Sequence, residues 1–257
     1  MRKQLSDIYE LLTVSKCPSC GAVTKRSGTF CPDCLEKYTA ERAAECPFCK
    51  MAADVCVCSV RDLYFCRELD GTMKSLLFYM PENKVFSRAL KSLKYSSDRG
   101  VEKLFARELA REVLLLFKKH GEFSEDWSVT FPPRRKNAVK RYGFDQSKGL
   151  ARRLSKYTGM TFEKVFSRKG KTAQKTLGAA ERERNAASSF AVKKRAEISG
   201  KKYIIIDDVV TSGSTVKACQ TLLLSHGAKC AFVLSVAKTP MRGAGFDSGL
   251  KYRKTKK

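Results

Sequence analysis

The stretch Tyr203–Thr215, YIIIDDVVTSGST, carries the pattern around which the rest of the chain can be interpreted. Its apolar, β-branched run Ile204–Ile206 is followed by two adjacent carboxylates, Asp207 and Asp208, and then by a loop of Thr, Ser and Gly residues. A helical pattern begins near Val216. The stretch therefore predicts a buried strand that ends at the two carboxylates, a polar turn and a helix N-terminus, in that order.

The residue types in this turn favour an anion on one side and a sugar or metal ion on the other. The N–H groups at the start of a helix are unpaired and attract negative charge. Gly213 lets the backbone approach a ligand closely, and the neighbouring hydroxyls add donors. The carboxylates of Asp207 and Asp208 can accept hydrogen bonds from sugar hydroxyls or hold water on Mg²⁺. Together these groups suit a ribose 5-phosphate.

Two other interpretations of this stretch stay open at this point. A strand can simply end at a polar turn in which an Asp caps the next helix. A Walker B strand of a nucleoside triphosphate-binding protein also ends in carboxylates. The chain contains no G-x-x-x-x-G-K-[ST] segment, which counts against that second interpretation.

Size and charge narrow the class of protein further. The 257 residues suffice for one good-sized domain and a small one. The formal net charge of +25 favours polyanions, namely nucleic acid, phosphorylated metabolites or an anionic membrane, although a solubilising excess is the alternative. Residues 134–195 hold 19 Lys and Arg against 4 Asp and Glu. This concentration favours polyanion binding over a uniformly basic surface.

The N-terminal segment predicts no export or membrane insertion. Residues 1–17 include Asp7 and Glu10 and lack the apolar centre of a signal peptide. Residues 3–14 instead predict a short amphipathic helix. No run approaches the ~20 apolar residues of a membrane span. We therefore expect a cytoplasmic protein with reduced thiols.

Eight of the eleven cysteines lie within residues 17–58 and form two sets with metal-ligand spacing. The first set is Cys17, Cys20, Cys31 and Cys34, and the second is Cys46, Cys49, Cys56 and Cys58. Paired thiolates on tight turns are the ligands of structural, tetrahedral Zn²⁺. Disulfides are the main alternative, but an odd number of cysteines and no secretory signal argue against them. We predict one Zn²⁺, or two, and expect Cys219 and Cys230 to pack in the core.

Strands alternate with helices through the remainder of the chain, which predicts an α/β fold with a mainly parallel sheet flanked by helices. The predicted strands are Ser75–Met80, Trp127–Phe131, Phe190–Val192, Tyr203–Asp207 and Ala231–Ala237. The predicted helices are Val85–Tyr95, Leu104–Phe117, Asp145–Tyr157 and Val216–His226. Ligands of such sheets bind at the carboxyl ends of the strands, where the carboxylates and the Pro133–Arg134 turn fall. Residues 168–187 are basic and polar, and we predict a lid there.

Several motifs, in order along nearly the whole chain, resemble the ComF family of competence-associated, phosphoribosyltransferase-like proteins. They are the cysteine knuckles, Leu93-Lys94-Tyr95, Phe131-Pro132-Pro133 with Arg134-Arg135, Arg141 to Gln146, Gln174-x₂-Leu177-x₄-Arg182-x₂-Asn185-x₄-Phe190, and Asp207–Thr215. Asp145 stands where the family has an amide. The resemblance implies a type I phosphoribosyltransferase-like fold with a small zinc-binding domain. It divides the chain into a cysteine domain (1–60), the α/β domain (61–243) and a basic tail (244–257).

The resemblance also implies a site for phosphoribosyl pyrophosphate and Mg²⁺, and pentosyl transfer to an acceptor that the sequence does not name. Asp207 and Asp208 would bind the ribose hydroxyls and Mg²⁺, and Arg134 would stabilise the leaving pyrophosphate. The other substrate-binding residues would be Val209, Thr211, Ser212, Gly213, Ser214 and Thr215 around the 5-phosphate, with Arg135 and Arg182 at the pyrophosphate.

A second function from a different class is left open. The protein could be a non-catalytic, single-stranded DNA-binding factor in DNA uptake, working with other uptake proteins and keeping the phosphoribosyl site for a regulatory ligand. The basic segment with interleaved Tyr142, Phe144 and Tyr157 would supply charge and stacking for it. A purely structural zinc scaffold is a third option, but it leaves the Thr211–Thr215 loop unexplained.

Overall fold

The computed structural model describes residues 15–25, 29–56, 58, 63–80, 82–95, 99–169 and 189–240. Three sequence predictions fall outside these residues: the helix at residues 3–14, the tail at 244–257 and most of the lid, including Arg182.

Five strands form the main sheet, and all four pairings in it are parallel. They are β1 (Met73–Phe78), β2 (Trp127–Thr130), β3 (Thr161–Phe162), β6 (Lys202–Val210) and β7 (Cys230–Lys238), in the order β1-β7-β6-β2-β3. Two further strands, β4 (Phe166–Arg168) and β5 (Phe190–Val192), form a separate antiparallel pair at the two ends of the predicted lid. The predicted mainly parallel sheet is confirmed.

Helices cover both faces of this sheet. They are α1 (Pro32–Ala43), α2 (Lys84–Tyr95), α3 (Arg99–His120), α4 (Lys136–Tyr142), α5 (Gln146–Thr158) and α6 (Ser214–Ser225), with a short 3₁₀ turn at Ser124–Asp126. Ile204 and Ile206 of β6 pack in the core that α3 and α5 share, whereas Tyr203 and Ile205 pack in the core beneath α6. Because successive side chains of a strand point to opposite faces, a strand buried on both faces is apolar throughout.

The central strand is longer than its sequence predicts. It does not end at the carboxylates, because its pairing with β7 continues to Val210, which lies opposite Lys238. Asp207 and Asp208 therefore lie within the carboxyl-terminal half of β6. The helix that follows begins at Ser214, two residues before its apolar periodicity starts.

The cysteine-rich region packs directly on the α/β core. The Phe30 and Tyr38 rings lie 4.7 Å apart, and the Tyr38 ring lies 6.5 Å from that of Phe105 on α3. Arg42 at the end of α1 adds a salt bridge of 2.9 Å to Glu112. The predicted boundary after residue 60 stays a prediction. Among the described helices, none combines the length and apolar character needed to cross a membrane.

Candidate functional site

The loop between β6 and α6 forms a small concave site around Gly213. This glycine caps the N-terminus of α6 with φ of 77°, a left-handed conformation that favours glycine. It contributes no side chain to cap the first N–H groups of the helix, which have no intrahelical partner. Asp207 and residues 209–216 line a cavity of about 30 Å³ here. The structure thus gathers Val209, Thr211, Ser212, Ser214 and Thr215 around one helix N-terminus.

Asp207 lines this cavity, Asp208 follows it on β6, and hydrogen bonds hold both carboxylates. One oxygen of Asp207 accepts from the Ser147 hydroxyl at 2.9 Å and from the Asp208 backbone N–H at 3.0 Å. An Asp208 oxygen accepts from the Val209 N–H at 2.8 Å. Both side chains are half-buried. Carboxylate and hydroxyl oxygens are the donors that Mg²⁺ takes, so the residues present fit that ion.

The loop after β2 lies at the same edge of the sheet, because β2 and β6 are neighbouring parallel strands. Asp145 holds this loop: one of its oxygens accepts from the Arg134 backbone N–H at 2.8 Å, and the other accepts from Lys148 N–H at 3.2 Å as the cap of α5. Gln146 accepts a 2.8 Å hydrogen bond from the Arg134 guanidinium. The carboxylate that replaces the family's amide therefore orders the arginine loop. Arg135 beside it is exposed.

Arg168 is a candidate site residue that the sequence analysis missed. Its guanidinium donates to the Pro133 carbonyl at 3.3 Å and lies over the Phe190 ring at 4.9 Å. Burial, and then the charge of Arg135, lower the pKa of Arg168, while Asp145 and Asp207 oppose the shift. The β4–β5 pair thus brings a third arginine to the edge. The sequence did not single out Arg168, because it is one of 19 basic residues in the segment 134–195.

The first cysteine set forms a compact cluster. The sulfur atoms of Cys17, Cys20, Cys31 and Cys34 all lie within 4.8 Å of one another, and those of Cys20 and Cys31 are 3.6 Å apart. Burial would raise the pKa of the Cys17 thiol, but backbone hydrogen bonds from Cys20 and Cys31 outweigh it and lower the pKa to about 7. Burial and the other thiols raise that of Cys34 to about 12. Four converging thiols with amide donors fit a tetrahedral Zn²⁺.

The second set converges as well, despite its shorter Cys-x-Cys spacing. The sulfur atoms of Cys46, Cys49, Cys56 and Cys58 lie within 4.8 Å of one another. Phe78 and Met80, at the carboxyl end of β1, pack against this cluster. The buried ammonium of Lys238, the last residue of β7, donates to the Cys56 carbonyl. This set could also hold Zn²⁺, close to the edge of the sheet that carries Asp207.

All eleven cysteines are free thiols, contrary to the disulfide alternative. Cys219 is fully buried in the core, as expected. Cys230 is buried too, but it also lies with Cys66 and Glu68 in a third group of potential metal ligands that the sequence analysis did not find. Cys66 and Glu68 are separated by one residue, and Cys230 follows Cys66 by 164 positions. This spacing matches no known metal-binding motif, so the sequence alone did not indicate the group.

The parallel sheet and the loop at its carboxyl edge define a type I phosphoribosyltransferase-like protein. The chain matches the family described as "Phosphoribosyl transferase domain" over residues 138–252. The chain belongs to the ComF family of phosphoribosyltransferase-like proteins.

Similar proteins come from several bacteria. The DNA utilization protein YhgH of Escherichia coli K12 is 31% identical over 155 residues, which are 60% of this chain and 67% of that protein. The competence protein ComFC of Streptococcus pneumoniae is 26% identical over 227 residues, 83% of this chain and 96% of that one. Among solved structures, glutamine phosphoribosylpyrophosphate amidotransferase from B. subtilis is 20% identical, with a TM-score of 0.38, over 57% of this chain and 30% of that one.

Proposed function

We propose that the carboxyl edge of the sheet binds phosphoribosyl pyrophosphate together with Mg²⁺. The observation that carries this proposal is the cavity at the N-terminus of α6, which Asp207 and the Thr211–Thr215 loop line together. The 5-phosphate accepts hydrogen bonds from the first N–H groups of α6 and from the loop hydroxyls. Asp207 and Asp208 accept from the ribose hydroxyls.

The residues around the cavity suit transfer of the ribosyl group by displacement of pyrophosphate at C1. Bound Mg²⁺ supplies charge neutralisation of the leaving pyrophosphate, and Asp207 and Asp208 are the residues that would hold it. Arg134, Arg135 and Arg168 stabilise the same developing charge by charge-assisted hydrogen bonds. Arg182, which lies outside the described residues, is proposed to join them when the lid closes over the ligand and excludes water.

We further infer a role in DNA uptake, because the relatives are named for competence and for DNA utilization. Eleven free thiols suit a reducing compartment, so we infer a cytoplasmic location, where single-stranded DNA and other uptake proteins would be partners. We also infer that each of the two cysteine sets holds a structural Zn²⁺.

A second candidate function, single-stranded DNA binding without turnover, is favoured by the outer face of α5. Arg152, Lys156 and Tyr157 are exposed there, so cationic and aromatic side chains are presented together. Phosphates contact the cations and a base stacks on the ring. Binding of this kind falls steeply with salt concentration. A fluorescent oligonucleotide that fails to bind even at low salt would remove this candidate.

The ribose site is tested by calorimetric titration of the purified protein with phosphoribosyl pyrophosphate and Mg²⁺. We expect Asp207→Asn with Asp208→Asn to weaken binding by about a hundredfold, because two hydrogen-bonded charges are lost. Asp33→Asn, an exposed carboxylate on α1, is the control and should leave the affinity unchanged. If the double variant binds phosphoribosyl pyrophosphate as tightly as the Asp33→Asn control does, the proposed site is rejected. Pyrophosphate release with and without single-stranded DNA then separates the catalytic from the binding-only candidate.

A further inference from the structure

Three turns in the described part of the chain share one backbone hydrogen bond, although only two of these turns belong to the cysteine sets. In each, the N–H of a cysteine donates to the carbonyl five residues later, and an isolated bridge closes the turn. The bonds are Cys17 to Ala22 at 2.7 Å, Cys46 to Met51 at 2.9 Å and Cys66 to Gly71 at 2.8 Å. The return bond to the cysteine carbonyl comes from the fourth residue after the cysteine in the first two turns and from the fifth, Gly71, in the third. The third turn is therefore similar to the two metal-binding knuckles but is closed one residue later.

The backbone dihedrals strengthen this likeness. The fourth residue after each cysteine has a positive φ: 78° at Gly21, 58° at Lys50 and 47° at Asp70. Within the described part of the chain, Lys50 and Asp70 are the only residues other than glycine with positive φ. Such a conformation is uncommon for residues with a Cβ. Its recurrence at the same position indicates that the chain reverses at Cys66 in much the same way as in the other two turns.

The ligands of the third turn differ from those of the first two. Leu69 takes the place of the second cysteine and is buried. Glu68, one residue earlier, approaches instead, with its oxygen 3.4 Å from the Cys66 sulfur. Cys230, the first residue of β7, completes the group, and the three ligand atoms lie within 4.8 Å of one another. Both cysteines are buried and Glu68 is half-buried.

We propose that Cys66, Glu68 and Cys230 form a third Zn²⁺ site, separate from both cysteine sets. Two thiolates and a carboxylate suit zinc and are too soft a set for Mg²⁺. Three protein ligands leave one coordination position for water. Because Cys230 begins β7, the site lies at the amino edge of the sheet, away from Asp207. It stands independently of the proposed ribose site.

The contact with Glu68 favours a metal over a disulfide. A disulfide between Cys66 and Cys230 would remove the thiol hydrogen that the Glu68 carboxylate accepts, leaving this half-buried charge without that donor. A Zn²⁺ would engage all three side chains at once. It would also tie the segment at residues 63–72 to the sheet, in addition to the existing contact with α6, where Gln220 accepts from the Tyr64 N–H at 3.2 Å.

The test is the zinc content per chain of the full-length protein, measured by inductively coupled plasma mass spectrometry. We expect Cys66→Ser and Cys230→Ser each to lose one equivalent relative to the wild type. Cys219→Ser is the matched control, a buried cysteine outside the three groups, and should lose none. Full retention of zinc in both Cys66→Ser and Cys230→Ser would overturn the proposal.

A milder variant covers the case in which the cysteine variants do not fold. Glu68→Gln keeps both thiols, and we expect it to weaken the affinity for one equivalent at least about tenfold in competition with a chromophoric chelator. Unchanged affinity for every equivalent would contradict the site. Detection of a Cys66–Cys230 disulfide in freshly alkylated cell extract would overturn it as well. Cys17→Ser and Cys46→Ser measure separately how much zinc the first and the second cysteine sets bind.

Discussion

The two edges of the parallel sheet use charged side chains in opposite ways. At the amino edge, carboxylates and lysines are matched within the protein. Lys202 contacts Glu122 at 2.7 Å, and the same Glu122 oxygen accepts from the indole N–H of Trp127 at 2.8 Å. Lys201, the residue before β6, likewise forms a salt bridge of 2.8 Å with Glu163, the residue after the short strand β3. These charges join neighbouring strand ends and stabilise the fold.

At the carboxyl edge, charged groups are held in position around a cavity. Asp207 accepts from Ser147, and Arg134 and Arg168 donate to the neutral oxygens of Gln146 and Pro133. The uncapped N-terminus of α6 faces the same cavity. Substitutions at the amino edge should therefore affect mainly stability, whereas those at the carboxyl edge should affect mainly ligand binding.

The largest effect is expected at Trp127, which is fully buried and whose ring lies 5.2 Å from that of Phe117. Trp127→Ala should lower the free energy of unfolding by about 3–5 kcal/mol, because it leaves a cavity in the core and removes the indole N–H that donates to Glu122. Urea unfolding measures this loss. The folded fraction should bind phosphoribosyl pyrophosphate with wild-type affinity, and a loss below about 1 kcal/mol would break the comparison.

Glu122→Gln should cost about 1.5–3 kcal/mol, the range for a hydrogen bond to a charged group. Burial alone would raise the pKa of Glu122, but the hydrogen bonds from Lys202 and Trp127 outweigh burial and lower this pKa in the folded protein. The ionised carboxylate therefore stabilises the fold above its unfolded pKa of about 4.3, and this contribution is lost as pH falls toward the folded value. The gap in stability between wild type and variant should be full at pH 7 and shrink below about pH 4.3. A gap independent of pH would contradict the pairing.

Gly213→Ala tests the proposed phosphate loop, Thr211–Thr215, with a matched control. A residue with a Cβ at φ of 77° costs about 1–2 kcal/mol, and Gly121, with φ of 69°, should respond similarly in thermal unfolding. Only Gly213→Ala should also weaken phosphoribosyl pyrophosphate binding, because only Gly213 lies at the cavity. Equal binding by the two variants would argue against the loop as the phosphate site.

The smallest effect is expected from Ser147→Ala, which removes the hydroxyl that holds Asp207. One hydrogen bond contributes about 1 kcal/mol, so stability should fall by about that amount, and affinity should fall at most about fivefold because Asp207 is no longer held in position. Ser155→Ala on the same helix is the control, since its hydroxyl donates to the Met160 carbonyl instead. Calorimetry of both variants measures the difference.

The sequence predicted those parts of the molecule that depend on local patterns. Apolar runs such as Ile204–Ile206 identified the buried strands, and the spacing of cysteines identified both thiol clusters. The extension of β6 to Val210 was not predictable, because β7 supplies the pairing. The positions of Arg168 at the site and of the ligand group at Cys66 were not predictable for the same reason. Their partners are distant in sequence, and only the folded chain brings them together.

The buried ammonium of Lys238 affects the charge balance of the second cysteine set. Burial lowers its pKa, and the thiols of Cys56, Cys46 and Cys49 oppose that shift when ionised. With the proposed Zn²⁺ bound to the second cysteine set, four thiolates would exceed the charge of the divalent ion, and Lys238 would be their counter-ion. Its backbone pairs with Val210, the residue before the phosphate loop. Loss of that Zn²⁺, with protonation of the thiols, would therefore leave a buried cation without a counter-charge beside the strand end that presents the proposed ribose site.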